Sequence, residues 1–231
     1  MSDPFVRTTL EGRVAHITLD RADHHNAIDS PMMQELGDRL AGLNGNADFV
    51  VLRGNGPDFS IGRDQHEKIP GQTRRESLGL AIRVNTLVAG FEGITIAAVR
   101  GRAYGFSTGM AMQCDYTIAS DTATFGFDEI KHGFPPTIVM TYLSTFLPKK
   151  RVLDVLLSGR YVNAPEALDM GMLTRIVADD ELDGYVEGLL KNLQSRKLPA
   201  LKRIKSYLVE IEKIEPALRP EYALNADTPA S

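Results

Sequence analysis

The segment Gly101-Arg-Ala-Tyr-Gly-Phe-Ser-Thr-Gly-Met-Ala-Met-Gln-Cys-Asp115 decides how this chain is read. It follows an uninterrupted apolar run, Ile94–Val99, of the kind that a strand covered on both faces requires. Glycines at 101, 105 and 109 mark where that strand gives way to a turn and then a helix. Such a turn exposes backbone N–H groups, and the first N–H groups of a helix have no partner inside it. The same spacing also suits close packing of backbones. It is not a phosphate loop, because no G-x-x-x-x-G-K-S/T pattern occurs.

Working outward, the flanking chain alternates between strand and helix signals. Val6–Leu10 and Val14–Leu19, separated by Glu11-Gly12, predict a hairpin. Ser30 before Pro31 predicts a helix start with Ser30 as the N-cap, and Met33, Leu36, Leu40 and Leu43 share one face of that helix. Phe49–Leu52 predicts a second buried strand, ended by Gly54, Gly56 and Pro57. Glu76 to Phe91 predicts another helix, with Leu80, Val84, Leu87, Val88 and Phe91 facing inward. Tyr116–Ala119 predicts a further strand. Strand, helix and strand in this order indicate an α/β core with crossover connections. From Pro148 onward the pattern is mainly helical. Leu182, Val186, Leu189 and Leu193 form one face and Leu201, Ile204, Leu208 and Ile211 another, both read as covering an interface rather than a sheet. The last dozen residues are polar and read as frayed.

Composition narrows the class without naming a function. The 231 residues carry 26 Lys and Arg against 30 Asp and Glu, a net charge of −4, with one Cys and no Trp. That balance argues against a chain held on nucleic acid by bulk charge, and a single Cys114 excludes an intrachain disulfide. No apolar run approaches the roughly 20 residues of a membrane helix, and Met1 to Thr9 lacks a signal-peptide core. A cytoplasmic protein with no membrane association is the expectation. Cys114 reads as buried packing and not as a nucleophile.

Two further stretches place glycines and polar groups beside predicted strands: Phe59-Ser-Ile-Gly-Arg-Asp64 and Phe125-Gly-Phe-Asp-Glu-Ile-Lys-His-Gly133. Two backbone N–H groups from different segments can hold a developing oxyanion. With Leu19-Asp-Arg-Ala-Asp-His-His-Asn-Ala27 and Ser158–Gly171, these segments resemble, in order and spacing, the motifs of the enoyl-CoA hydratase/isomerase (crotonase) superfamily. The resemblance runs from about Phe5 to Leu208. It implies a crotonase-like spiral of ββα units over residues 1–160 that binds acyl-CoA, and a C-terminal helical oligomerisation segment over residues 161–231. It also implies a homotrimer or a dimer of trimers. The implied chemistry stabilises an enolate at the thioester carbonyl and needs no cofactor, coenzyme A entering as part of the substrate.

Carried over by position, the oxyanion donors would be the backbone N–H groups of Arg63 and Phe106, and the catalytic carboxylate would be Glu129. The Leu19–Ala27 motif would lie on the CoA side. Two departures stand out. Gly105-Phe106-Ser107 replaces the three glycines common in the family, putting a ring near the acyl pocket. Gly109 stands where hydratases carry a second glutamate. One remaining carboxylate suffices to take a proton from one carbon of a dienolate and return it to another. The expected reaction is therefore enoyl-CoA isomerisation. Other crotonase chemistry (hydration, thioester or C–C hydrolysis, decarboxylation) and a non-catalytic acyl-CoA binder are the alternatives. Asp64, His66, Tyr104 and His132 are candidate acyl-pocket or auxiliary groups, with Asp64 also read as fixing its loop. Arg21, Arg63, Lys68 and Lys202 are candidates for the CoA phosphates. Asp128 and Glu129, read as extended, would point to opposite faces. His24 and His25 do not form a metal-ligand pattern, and no metal is expected.

Overall fold

The computed structural model describes residues 5–64, 66–67 and 69–226. Strands β1 (Val6–Glu11) and β2 (Val14–Leu19) form the hairpin, with Gly12 at φ +61° in its turn. They lead into α1 (Ser30–Gly42), β3 (Phe49–Gly54), α2 (Arg74–Ala89) and β4 (Ile94–Val99). A short β5 (Arg102–Tyr104) precedes α3 (Phe106–Met112), β6 (Tyr116–Ser120) and β7 (Thr124–Gly126). After these come α4 (Thr137–Met140), α5 (Leu143–Phe146), α6 (Lys149–Ser158), β8 (Tyr161–Asn163), α7 (Ala164–Met170) and β9 (Arg175–Val177). The helices α8 (Leu182–Gln194), α9 (Leu198–Glu212) and α10 (Arg219–Ala226) close the chain.

The strands form two sheets. One runs β1-β2-β3-β4-β6-β9, antiparallel at the hairpin and parallel elsewhere; the other runs β5-β7-β8. β8 and β9 lie beyond residue 160, so both sheets draw a strand from the segment read as the C-terminal helical part.

Period-2 alternation in the central strands builds a core on each face of the larger sheet. Val50 and Leu52 of β3, with Ala97 and Val99 of β4, face the core shared with α1 and α2. Phe49, Val51, Ile94, Ile96 and Ala98 face the opposite side, where Leu182, Val186, Leu190 and Leu193 of α8 cover them. α8 therefore seals a sheet face and not an interface. α9 does differ: Ile204, Leu208 and Val209 are 61%, 59% and 52% exposed in the single chain.

Two local expectations are corrected. Asp29, not Ser30, caps α1, accepting the Met32 N–H at 2.9 Å, while Ser30 donates its hydroxyl hydrogen to Glu67. The stretch read as frayed holds all but the first residue of α10, which runs to Ala226; residues 227–231 lie outside the described residues. Cys114 is packed inside, 6% exposed, and burial pushes its thiol up to about 12, which removes the thiolate a nucleophile needs. Among the described residues no helix is long and apolar enough to cross a membrane.

Candidate active site

Ser60 ties together Asn26, its own loop and the Arg102–Ser107 stretch. Its hydroxyl donates to Asn26 O at 2.7 Å and accepts from Ser107 Oγ at 2.7 Å and from Gly62 N–H at 3.1 Å. Its backbone pairs with β5: Ser60 N–H donates to Arg102 O and Tyr104 N–H donates to Ser60 O, each at 3.0 Å. Asn26 is fully buried, and its amide donates to Asn55 O and Asp58 O. The loop Phe59–Asp64 is thus welded to β5 and to the start of α3.

This arrangement leaves two N–H groups close together and unspent. Ile28 N–H donates to Gly62 O and Asp64 N–H donates to Ile28 O, so the N–H of Arg63, between them, faces away from Ile28. Phe106 is the first residue of α3 and has no intrahelical acceptor for its N–H. Among the described residues neither N–H is spent on a hydrogen bond. The two donors are close, since a Cβ placed on Gly62 would lie 3.6 Å from Phe106 N and 2.6 Å from Tyr104 O. Gly62, at φ +91°, is the residue that permits this approach.

The carboxylate comes from the turn that follows β7. Gly105 N–H donates to Gly126 O at 2.7 Å, which fixes the chain that leads to Glu129. A Cβ on Gly105 would meet Glu129 Oε1 at 2.9 Å, so the carboxylate sits directly over the turn that precedes Phe106. Glu129 Oε2 is buried and has no hydrogen-bond partner among the described residues. Desolvation, with a smaller push from Asp128, raises its pKa to about 7, against the pull of its backbone N–H and of Arg63. Asp128 and Glu129 are not extended. Asp128, at ψ 6°, precedes a single 3₁₀ turn, Glu129–His132, and its carboxylate accepts from Tyr161 Oη at 2.6 Å. The strand has already ended at Gly126, so strand alternation does not govern the pair.

Arg63, Phe106 and Glu129 line one cleft of about 1100 Å³ together with Asp64, His66, Tyr104 and His132. Phe106 is only 4% exposed, so most of its ring belongs to the core. Asp64 is occupied: Arg21 Nη1 lies 3.0 Å from Oδ2 and His66 N–H donates to Oδ1 at 3.0 Å. Against the opposing effect of burial, these contacts hold its pKa below the usual carboxylate value. Tyr104 stacks on Tyr161 at 4.2 Å, and its hydroxyl is 3.0 Å from Thr124 Oγ1. His66 and His132 are exposed at the rim. Among the candidates for CoA phosphates, Arg21 and Arg63 line the cleft, Lys202 instead lies 3.7 Å from Asp48, and Lys68 falls outside the described residues.

Gly109 holds the residue that sequence reading missed. A Cβ there would lie 2.2 Å from Tyr142 Oη and 3.1 Å from Val139 Cγ1. The Tyr142 phenol, which accepts from Asn85 Nδ2 at 3.3 Å, occupies the volume a side chain at 109 would enter. Nothing in the sequence links 109 to 142, because the contact is made only when α4 and α5 fold over α3. Gly109→Glu is therefore expected to lower the melting temperature, with overpacking costing about 1–3 kcal/mol, and to yield no 3-hydroxyacyl-CoA. Clear hydration by that single variant would contradict this account.

Chemically, two free N–H donors beside an uncoordinated carboxylate of near-neutral pKa can stabilise an oxyanion and move a proton at the adjacent carbon. Comparison with known proteins agrees in kind. The family model for enoyl-CoA hydratase/isomerase matches residues 9–227. A protein of Rhizobium meliloti (strain 1021) named probable enoyl-CoA hydratase is 33% identical over 202 residues, covering 82% of this chain and 75% of that one. A Thermobifida fusca YX protein crystallised with CoA superposes with TM-score 0.87 at 29% identity, covering 96% of this chain and 91% of that one. A structure from the same organism in complex with acetoacetyl-CoA gives TM-score 0.83 at 30% identity, covering 96% and 93%.

Proposed function

Since the chain belongs to the enoyl-CoA hydratase/isomerase family, we propose that it is an acyl-CoA enzyme that isomerises a 3-enoyl to a 2-enoyl thioester. The observation that carries the reading is one buried carboxylate, Glu129, over the oxyanion turn, with Tyr142 occupying the volume beside Gly109. The thioester oxygen lies between the N–H groups of Arg63 and Phe106. Glu129 takes a proton from C2, and the electron pair spreads through the dienolate into the oxyanion. The protonated Glu129 then gives the proton to C4, and the double bond settles between C2 and C3. No water is consumed. Relatives bearing hydratase names and structures holding CoA or acetoacetyl-CoA support the substrate class.

The pKa of Glu129 makes the reading testable. The base form is the carboxylate, present above its pKa, so kcat/KM for a 3-enoyl-CoA is expected to rise as pH climbs toward about 7 and to level off above it. A profile flat from about pH 5 to pH 8 would count against Glu129 as the base. Stability runs the other way. The folded state holds the Glu129 proton between the ordinary value of 4.5 and about 7, so stability is lost as pH rises through that window. Glu129→Gln is expected to escape that loss and to melt higher than the parent above about pH 7.

A further inference from the structure

Four arginines line the cleft, Arg21, Arg63, Arg74 and Arg102. Two are committed to carboxylates. Arg21 Nη1 lies 3.0 Å from Asp64 Oδ2 and 3.5 Å from Asp29 Oδ2, and Arg102 Nη2 lies 2.7 Å from Asp58 Oδ2. The other two have no such partner. Arg63 Nη2 donates to Ser77 Oγ at 2.5 Å, and the Arg74 guanidinium lies 4.8 Å from the centre of the Phe134 ring. Among the described residues neither forms an ion pair.

Water reaches the exposed Arg74, but the surroundings of Arg63 do not make up for the missing partner. Arg63 is partly buried; desolvation holds its pKa below the usual arginine value, and the like charge of Arg74 acts in the same direction. Glu67 and Glu129 oppose that shift through space. Glu67, however, is held by Ser30, accepting its N–H and its hydroxyl at 2.8 Å each. Glu129 is reserved for the proton. A guanidinium withdrawn from water is stabilised when a carboxylate meets it, most strongly through two parallel hydrogen bonds.

Position in the cleft says which part of a ligand would meet them. Arg74 and Ser77 sit on the first turn of α2, and Phe134, Ile138 and Val139 belong to the same wall. The other wall carries Arg21, His24 and His25, from the segment that the family resemblance places on the CoA side. The uncommitted arginines therefore stand beyond the thioester, where the acyl chain runs. We propose that Arg63 and Arg74 bind a carboxylate at the far end of the acyl group, making the substrate the CoA thioester of a dicarboxylic acid. A methyl-terminated chain would leave the desolvated Arg63 without its counter-charge.

This inference rests on the acyl-CoA reading of the cleft but not on which bond is moved. The test is calorimetric titration with glutaryl-CoA and pentanoyl-CoA. These are saturated thioesters of equal chain length that differ in a terminal carboxylate or methyl, and neither can be isomerised. The parent protein is expected to bind glutaryl-CoA at least about fivefold more tightly, a ratio that falls toward one in Arg63→Gln and in Arg74→Gln. The ratio is the readout, so a general loss of CoA affinity cancels, and melting curves confirm that each variant folds. A ratio under about fivefold in the parent, or one that survives both substitutions, overturns the proposal. Failure to bind either thioester would overturn the acyl-CoA reading with it. Absent isomerisation alongside a retained ratio would overturn only the isomerase assignment.

Discussion

Glu129→Gln is expected to reduce 3-enoyl-CoA isomerisation by about 10²–10⁴-fold while acyl-CoA affinity stays near that of the parent. Glutamine keeps the size of the side chain and its place over Gly105, but it cannot accept and return a proton. No second carboxylate can take over at Gly109, where the Tyr142 phenol fills the space. Asp128 is beside it in sequence but holds the Tyr161 hydroxyl at 2.6 Å. The loss should therefore appear in kcat, since the removed interaction belongs to the proton-transfer step. Steady-state kinetics with a 3-enoyl-CoA, paired with binding of a saturated thioester, make the measurement. Turnover within about threefold of the parent would remove Glu129 from the mechanism.

Gly62→Ala is expected to have an effect of similar size by a different route. At φ +91° an L side chain is strained by about 1–3 kcal/mol, and its Cβ would stand 2.6 Å from the Tyr104 carbonyl oxygen. That oxygen is backbone, so relief requires β5 and the Gly62–Arg63 peptide to separate. Separation moves the Arg63 N–H away from the Phe106 N–H, and loss of one oxyanion donor costs about 10²–10³-fold in kcat. Gly12→Ala provides the control. It lies at φ +61° in the β1–β2 turn with nothing within 4 Å of the new Cβ, so it bears strain without collision. The expected result is a destabilised but active Gly12 variant beside a Gly62 variant with a collapsed kcat. Equal activities would mean that the 62–106 approach does not form the hole.

Much of the fold was legible because it rests on local periodicity. The apolar runs Phe49–Leu52 and Ile94–Val99 have the length and continuity of strands covered on both faces, and the Met33–Leu43 stripe has the spacing of an inward helix face. Features that depend on which atoms meet across the chain were not legible. The Ser30-Pro31 pair predicts a cap at Ser30, yet Glu67 claims its hydroxyl and Asp29 caps instead. The α8 stripe shows that one face is buried, but not that the burying surface is the sheet. At the site, Glu129, Arg63 and Phe106 were reached only through motif resemblance; once folded, they share one cleft. Ser60 and Ser107 sat inside the quoted motifs without any signal that their hydroxyls would join. Tyr142 and Arg74 lay outside every motif, and tertiary contact alone brings them to the site.

The claim that one carboxylate carries a proton between two carbons of a bound dienolate is tested most directly by isotope transfer. A 3-enoyl-CoA with deuterium at C2, turned over briefly in ordinary water, should give 2-enoyl-CoA with part of that deuterium at C4 and no 3-hydroxyacyl-CoA. Product that forms only by addition of water, or unchanged 3-enoyl-CoA with full retention at C2, would contradict the account.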